Sequence, residues 1–231
     1  MNRRFGTAPS NGRDTADTKR LAQWVALVGV LALLGYGTRI GAGKPDPQVL
    51  YRWSTAVGGF VQDAIVLALV LAIARGSRPL LGLRRPASIG RAALYIACAI
   101  VAIYIFESVY SLVVDPGNEQ GLTPSHWEPA HAAAYVTNSI VICSWVPLVE
   151  ELTYRGLGYS LLARFGRWPA ILAVGLAFGL AHGLLLSLPI IVAFGCVLAW
   201  IRSRTDSVYP GMALHALFNA IALVAAVTIS S

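Results

Sequence analysis

Six polar side chains in the C-terminal half of the chain have the right types for chemistry on a peptide bond. They stand at three places in otherwise apolar sequence, and they are Glu150, Glu151, Arg155, His182, His215 and Asn219. A carboxylate close to imidazoles in a low-dielectric pocket can deprotonate water, either as a general base or through a metal that lowers the pKa of the water. An amide can donate to a developing oxyanion, and a guanidinium can neutralise one of two adjacent carboxylates. The set therefore predicts hydrolysis, with peptide cleavage as the natural reaction.

The spacing of these residues predicts that each group lies on one face of a helix. Residues four apart are neighbours on a helical surface. This spacing separates Glu151 from Arg155, Phe178 from His182, and His215 from Asn219. We therefore expect an internal ion pair in the first group and a polar face on each of three helices.

Counting from a connecting turn predicts the depths of the first two groups. Glu150 and Glu151 precede Gly166 of the turn RFGRW by 16 and 15 residues, and His182 follows it by 16. At about 1.5 Å per residue, all three lie about 22 to 24 Å along their helices from that turn. Pro147 cannot donate to the carbonyl of Cys143 and should kink the helix just before the glutamates.

The composition indicates a membrane protein, in which ionisable residues within apolar segments point to a functional site. Hydrophobic residues make up 56% of the 231 residues and charged residues only 13%, against about a quarter charged in soluble domains. Several apolar runs reach the roughly 20 residues that cross a bilayer as a helix. Ionisable groups at membrane depth are costly and normally face a protein interior or a wet cavity.

The expected fold is all-α: a polytopic membrane bundle of seven helices with the active site on the last four. The predicted spans are 21–41, 57–74, 91–114, 134–164, 168–186, 188–202 and 208–229. Residues 1–20 are predicted to be a disordered cytoplasmic tail, 21–133 N-terminal membrane helices with an acidic outer loop, and 134–231 the catalytic core. The whole is expected to form one membrane domain.

The basic residues predict orientation rather than nucleic-acid binding, although the net charge is +7. They lie in short segments beside the spans, whereas the loop 115–134 carries acids and neither Lys nor Arg. The positive-inside rule then puts the N-terminus in the cytoplasm. We expect a multi-pass protein of a prokaryotic plasma membrane.

Three motifs resemble those of the CPBP intramembrane proteases, which include type II CAAX prenyl endopeptidases and bacteriocin-processing and immunity proteins. The resemblance covers about residues 134–229. It consists of two glutamates followed by arginine (Glu150, Glu151, Arg155), phenylalanine followed by histidine (Phe178, His182), and histidine followed by asparagine (His215, Asn219). The motifs occur in the order of the family.

The resemblance implies a membrane-embedded endopeptidase that cuts a membrane-anchored or lipidated peptide or protein. It implies that Glu150 and His182 hold the attacking water and that His215 and Asn219 stabilise the oxyanion. It leaves open a divalent metal such as zinc, for which Glu150, His182 and His215 would be the ligands. Phe178 is expected to be a packing residue.

Two other classes of function fit the same buried groups. A proton-coupled or ion-coupled transporter would use them as a relay, although no repeated halves or paired broken helices occur in the sequence. A non-catalytic immunity or scaffold protein would bind a membrane partner. The motifs HExxH, GxSxG and GxGD of other intramembrane proteases are absent from the sequence.

Several remaining polar residues receive no catalytic role from the sequence. Asp63 and Glu107 lie in predicted spans, where they would line the same cavity or pair with a residue such as Arg39. His126, Glu128 and His131 are expected to belong to a solvated loop, since their spacing fits no trusted ligand pattern. The cysteines at 98, 143 and 196 lie in predicted spans and are expected to be packing residues.

Overall fold

A computed structural model describes residues 11–40, 46–124 and 126–229 of the chain. Within these ranges the protein is helical and contains no strand. The helices are α1 (Asn11–Gly37), α2 (Trp53–Ala74), α3 (Ile89–Ser111), α4 (Pro129–Phe165), α5 (Arg167–Ala181), α6 (Leu188–Thr205) and α7 (Tyr209–Ile229). The predicted all-α polytopic bundle is confirmed.

Six of these helices are long and apolar enough to cross a membrane, and α5 is a shorter apolar helix. Each predicted span overlaps one of the seven. Large apolar side chains remain exposed on the first helices, among them Leu33 in α1, Ile65 in α2 and Ile105 in α3. A surface of this kind suits contact with lipid tails, so the protein is an integral membrane protein.

The N-terminal boundary of α1 differs from the prediction. The helix already begins at Asn11, so residues 11–20, predicted as part of a disordered tail, are helical. Their polarity does not prevent this, because a segment that precedes an apolar span propagates the existing helix without a new nucleation cost. The rest of the predicted tail, residues 1–10, lies outside the described residues.

Helix α4 is irregular around the glutamates. Its backbone takes the wider π form at Val141–Trp145 and again at Glu151–Gly158, with the α-helical segment Val146–Glu150 between them. Pro147 lies in that segment, so the predicted distortion is present as π-helical turns. Insertions of this kind shift the helical register and are frequent at functional sites.

Helix α5 is too short to cross a hydrocarbon core about 30 Å thick, since its 15 residues extend about 22 Å. His182 is the residue that caps its C-terminus, and Gly183 turns the chain with a positive φ of 64°. A Cβ at Gly183 would overlap the backbone of Gly35 in α1. The segment 182–187 before α6 is therefore a turn packed directly against α1.

The cysteines form no disulfide among the described residues. Cys143 and Cys196 are half-buried and pack against apolar clusters, as predicted. Cys98 lies exposed on α3, so the expectation that it packs was wrong. An apolar thiol on the outside of a membrane helix faces lipid at little cost.

Candidate active site

His215 of α7 lies between the two adjacent carboxylates of α4. Its Nδ1 is 3.3 Å from Oε1 of Glu151, and its Nε2 is 3.5 Å from Oε2 of Glu150. The His215 side chain is 5% exposed and that of Glu150 22%, whereas Glu151 is fully buried. Nδ1 of His215 is within hydrogen-bond reach of Glu151, whereas the contact of Nε2 with Glu150 is longer than a hydrogen bond. His215 therefore joins α7 to both glutamates of α4.

Phe178 is the common packing surface of the site. Its ring centroid is 4.6 Å from that of His182 and 5.8 Å from that of His215, both in edge-on geometry. The guanidinium carbon of Arg155 lies 4.2 Å from the same centroid, within the range of a cation–π contact. Phe178 is buried, and it fixes both imidazoles relative to α4. Its predicted packing role agrees with this position.

His182 has a defined tautomer when it is neutral. Its Nδ1 lies 2.8 Å from the carbonyl oxygen of Phe178. A carbonyl only accepts, so Nδ1 carries the hydrogen and Nε2 keeps its lone pair. His182 lines both cavities described below, and it therefore offers them a proton acceptor.

The predicted ion pair of α4 is present and fully buried. Nη1 of Arg155 lies 3.0 Å from Oε1 of Glu151, and Nη2 of Arg155 donates to the carbonyl of Gly195 in α6 at 3.1 Å. Neither Glu151 nor Arg155 lines either cavity. Both lie behind the site, where they contact its walls.

Asn219 lies one turn beyond His215 on α7. Its Nδ2 donates to the carbonyl oxygen of Ile142 in the first π-helical segment at 2.8 Å. An amide nitrogen carries two hydrogens, so one remains for another acceptor. Asn219 lines the same cavity as His182 and His215.

Several predicted site residues line two cavities. The α2-side cavity, of about 300 Å³, lies among α1, α2 and α4 and is lined by Glu150, His182, Asp63 and Arg39. The loop-side cavity, of about 260 Å³, lies among α3, α6, α7 and the loop 112–128 and includes His215 and Asn219. His182 borders both, so the structure brings the four predicted water-binding and oxyanion residues to one region.

The predicted ligand set for a metal is not assembled in this arrangement. Among the described residues, no group of three or more His, Cys, Asp or Glu side chains is placed to hold a metal ion. His215 faces the carboxylates, whereas Nδ1 of His182 is engaged by the backbone of its own helix. Zinc therefore stays a prediction from the family resemblance.

Asp63 and Glu107 have the cavity positions that the sequence left open. Asp63 lines the α2-side cavity beside Glu150, and Glu107 lines the loop-side cavity. Neither forms an ion pair with Arg39, which instead donates to the backbone oxygen of Glu119 at 2.9 Å. In the loop before α4, Glu128 contacts two exposed histidines, as expected for a solvated cluster.

Two residues near the site carried no recognised signal in the sequence. Gly211 lies four residues before His215 on the same face of α7, and a Cβ there would be 2.5 Å from Oε2 of Glu151. Glu119 of the loop 112–128 accepts three backbone N–H bonds from the turn that follows His182. The spacing to His215 could have indicated Gly211, but no local pattern distinguishes Glu119 from other loop acids.

One family model matches the part of the chain that contains this site. Residues 132–221 match the family described as type II CAAX prenyl endopeptidase Rce1-like, and this range includes all three motifs. No curated protein and no solved structure matches the chain. The match over residues 132–221 thus supports the resemblance of the three motifs to the CPBP intramembrane proteases.

Proposed function

We propose that the protein hydrolyses a peptide bond of a membrane-anchored or lipidated peptide, with Glu150 and His182 activating the attacking water. The single observation that carries the proposal is that both side chains line one cavity while His215 contacts Glu150 from the other side. A water there has two acceptors for its protons, the carboxylate of Glu150 and Nε2 of His182. The Rce1-like domain supports an endopeptidase of the CAAX type.

The reaction follows from the proton positions. Glu150 accepts a proton as the water oxygen bonds to the scissile carbonyl carbon, and the carbonyl oxygen gains the negative charge. The second N–H of Asn219 donates to that oxyanion, and so does the Nε2–H of His215, which is released from Glu150 once that carboxylate has taken the proton of the water. The carbon–nitrogen bond then breaks, and the proton held by Glu150 passes to the leaving nitrogen.

Glu151 and Arg155 act as positioning residues in this proposal. Glu151 accepts at Nδ1 of His215, which turns Nε2 toward Glu150. Arg155 compensates the second carboxylate, since two adjacent buried carboxylates resist ionising together. The resemblance to the family motif covers both residues, but their burial behind the cavity walls supports an indirect role.

The site lies toward the side of the loop 112–128. This loop lines the loop-side cavity and contacts the end of α1 opposite its N-terminus. If the N-terminus is cytoplasmic, as the positive-inside rule predicts, the cavities lie toward the outer leaflet. Labelling of single cysteines at exposed positions 115 and 204 with a membrane-impermeant reagent tests this orientation, and label at 204 in intact cells would reverse it.

The test of catalysis uses variants that preserve shape. Membranes carrying the wild type, Glu150→Gln or His182→Ala are compared by mass spectrometry of newly formed peptide termini. Glu128→Gln, in the solvated loop, is the matched control. We expect the wild type and the control to form the same products. Both site variants should form less product by roughly 10²-fold or more, since this is the usual contribution of a general base. Equal product from Glu150→Gln would overturn the proposal.

The same preparation distinguishes the other classes of function. A coupled transporter would show substrate or proton flux in vesicles that Glu150→Gln abolishes, without any peptide product. A scaffold would retain its membrane partner in a Glu150→Ala, His182→Ala double variant, also without product from the wild type. Either result replaces the protease proposal.

A further inference from the structure

The loop 112–128 holds the turn that follows His182 through one carboxylate, that of Glu119. Oε1 of Glu119 accepts from the backbone N–H groups of Leu185 at 2.7 Å and Leu186 at 3.1 Å, and Oε2 accepts from Ser187 at 2.7 Å. These contacts join residues 66 to 68 positions apart in the chain. We call Glu119 and these three N–H groups the Glu119 clamp.

The three N–H groups need an external acceptor. They belong to the turn that leads into α6 and to its N-cap residue Ser187, so the hydrogen-bond ladder of α6 provides no acceptor for them. Ser187, the last of the three, is buried, and an unpaired N–H there costs more than it would in water. Negative charge is also favourable at the N-terminus of a helix. A carboxylate at this point satisfies all three donors at once.

The turn is held from α1 and α3 as well. The hydroxyl of Tyr36 donates to the carbonyl of Leu184 at 3.2 Å, and that of Tyr110 donates to the carbonyl of Leu186 at 2.8 Å. Arg39 donates to the backbone oxygen of Glu119 and fixes the base of the clamp. All of these donors precede residue 132, so they lie outside the Rce1-like range.

The clamp also fixes the outer wall of the loop-side cavity. Residues on both sides of Glu119 line that cavity together with His182, among them Asn118 and Gln120. The side chain of Asn118 bonds reciprocally with the backbone of Thr123, which closes the loop on itself. The carboxylate of Glu119 thus contacts the turn after His182 and belongs to the loop that forms the cavity wall.

We propose that Glu119 is a positioning residue that sets the location of His182 and of the loop-side cavity wall through the turn 182–187. The proposal rests on the proposed function for its catalytic consequence. Glu119 itself lines neither cavity, so it does not touch the substrate. Displacement of an activated group by about 1 Å can cost roughly a hundredfold in rate, and the turn places only two residues between His182 and the first clamped N–H.

A glutamine variant tests the clamp without loss of side-chain size. In Glu119→Gln one oxygen becomes an NH₂ group, which faces N–H donors and cannot accept from them. The full chain is purified in lipid nanodiscs with Asp115→Asn, another acid of the loop, as the matched control. Amide hydrogen exchange over residues 184–188 and exchange of the imidazole C2 hydrogen at His182 and His126 are measured by mass spectrometry.

We expect amide exchange over 184–188 to rise about tenfold in Glu119→Gln and to stay unchanged in Asp115→Asn. The C2 exchange rate should change at His182 and not at His126. Per folded enzyme, kcat should fall about tenfold or more, with KM within about threefold. Glu119→Asp, which keeps the charge, should lie between the wild type and Glu119→Gln in all readouts.

The outcomes separate the two proposals. Unchanged exchange at 184–188 and at His182 would overturn the positioning role, whatever the activity, and so would an unchanged kcat per folded enzyme. A wild type that cleaves nothing would overturn the proposed function, while the two exchange measurements would still test the clamp. If Glu119→Gln does not fold, Glu119→Asp provides the same comparison.

Discussion

The side chain of Asn219 donates to the carbonyl oxygen of Ile142 at 2.8 Å and joins α7 to the irregular part of α4. The N–H of Val146 bonds to the carbonyl of Val141, five residues back. If this π register continues, the next carbonyl, that of Ile142, would accept from the N–H of residue 147. Residue 147 is proline and has no N–H. Asn219 therefore replaces the donor that Pro147 lacks, and this hydrogen bond fixes α7 against the irregular part of α4.

The donor replacement predicts coupling between positions 219 and 147. Asn219→Ala leaves the carbonyl of Ile142 without a donor and should cost about 1 to 3 kcal/mol in the free energy of unfolding. Pro147→Ala supplies an N–H, so it should stabilise the Asn219→Ala variant more than it stabilises the wild type. Thermal unfolding in nanodiscs of the four proteins measures the coupling.

Measuring the cleavage rate separates the structural role of Asn219 from its proposed role as an oxyanion donor. The double variant should recover stability and still lack activity, because no amide remains to donate to the oxyanion. Equal effects of Pro147→Ala in both backgrounds would contradict the replacement of the donor.

The buried ion pair makes a second prediction. Arg155→Met leaves the carboxylate of Glu151 uncompensated in the core and should destabilise the protein by about 3 to 5 kcal/mol. The double variant Glu151→Leu, Arg155→Met removes both charges and should regain much of this loss. Its activity should remain low, because Nδ1 of His215 has lost its acceptor. Denaturation midpoints and cleavage rates measured on the same samples test both parts.

A second ion pair serves as the control in this experiment. The side chains of Arg20 and Asp17 are 22% and 44% exposed, so Arg20→Met should change stability by less than about 1 kcal/mol. A double variant as unstable as Arg155→Met would show that packing, rather than charge compensation, dominates at this place.

The sequence predicted the parts of the site that depend on local spacing. The ion pair of Glu151 and Arg155 follows from the helical repeat, and the shared depth of Glu150 and His182 follows from counting residues out of one turn. Partners that come from distant segments could not be predicted in this way. The contact of Glu119 with the turn after His182 depends on a loop conformation, and the start of α1 at Asn11 on continuation of a helix into polar sequence.

Gly211 provides a third prediction, based on close approach. A methyl group there would lie 2.5 Å from Oε2 of Glu151, and the carboxylate would have to move away from α7. We expect Gly211→Ala to lower kcat by about tenfold or more, because the acceptor of His215 shifts. Gly58→Ala in α2 is the matched control, since a Cβ there meets no atom within 4 Å, and it should retain full activity and gain slightly in stability. Equal activity of the two variants would show that Glu151 can shift without consequence.

The Glu119 clamp predicts how stability depends on pH. Burial raises the pKa of Glu119, but the N–H bonds from Leu185, Ser187 and Leu186 outweigh burial, so the net pKa is lowered. A lowered folded-state pKa means that the clamp stabilises the protein fully above the unfolded-state value of about 4.3. This contribution is lost as the pH falls through the folded-state pKa. Arg39, which donates to the backbone oxygen of Glu119, stays charged throughout this range.

Comparison of the wild type with Glu119→Gln isolates this contribution from other carboxylates. At pH 7 the wild type should be more stable by about 1 kcal/mol, a value that allows for solvent screening at a half-buried site. The difference should shrink as the pH falls below about 4, where the carboxyl group becomes protonated in the wild type as well. Thermal unfolding of both proteins between pH 7 and pH 3 measures it. A difference that stays constant over this range would mean that Glu119 stabilises the turn without its charge.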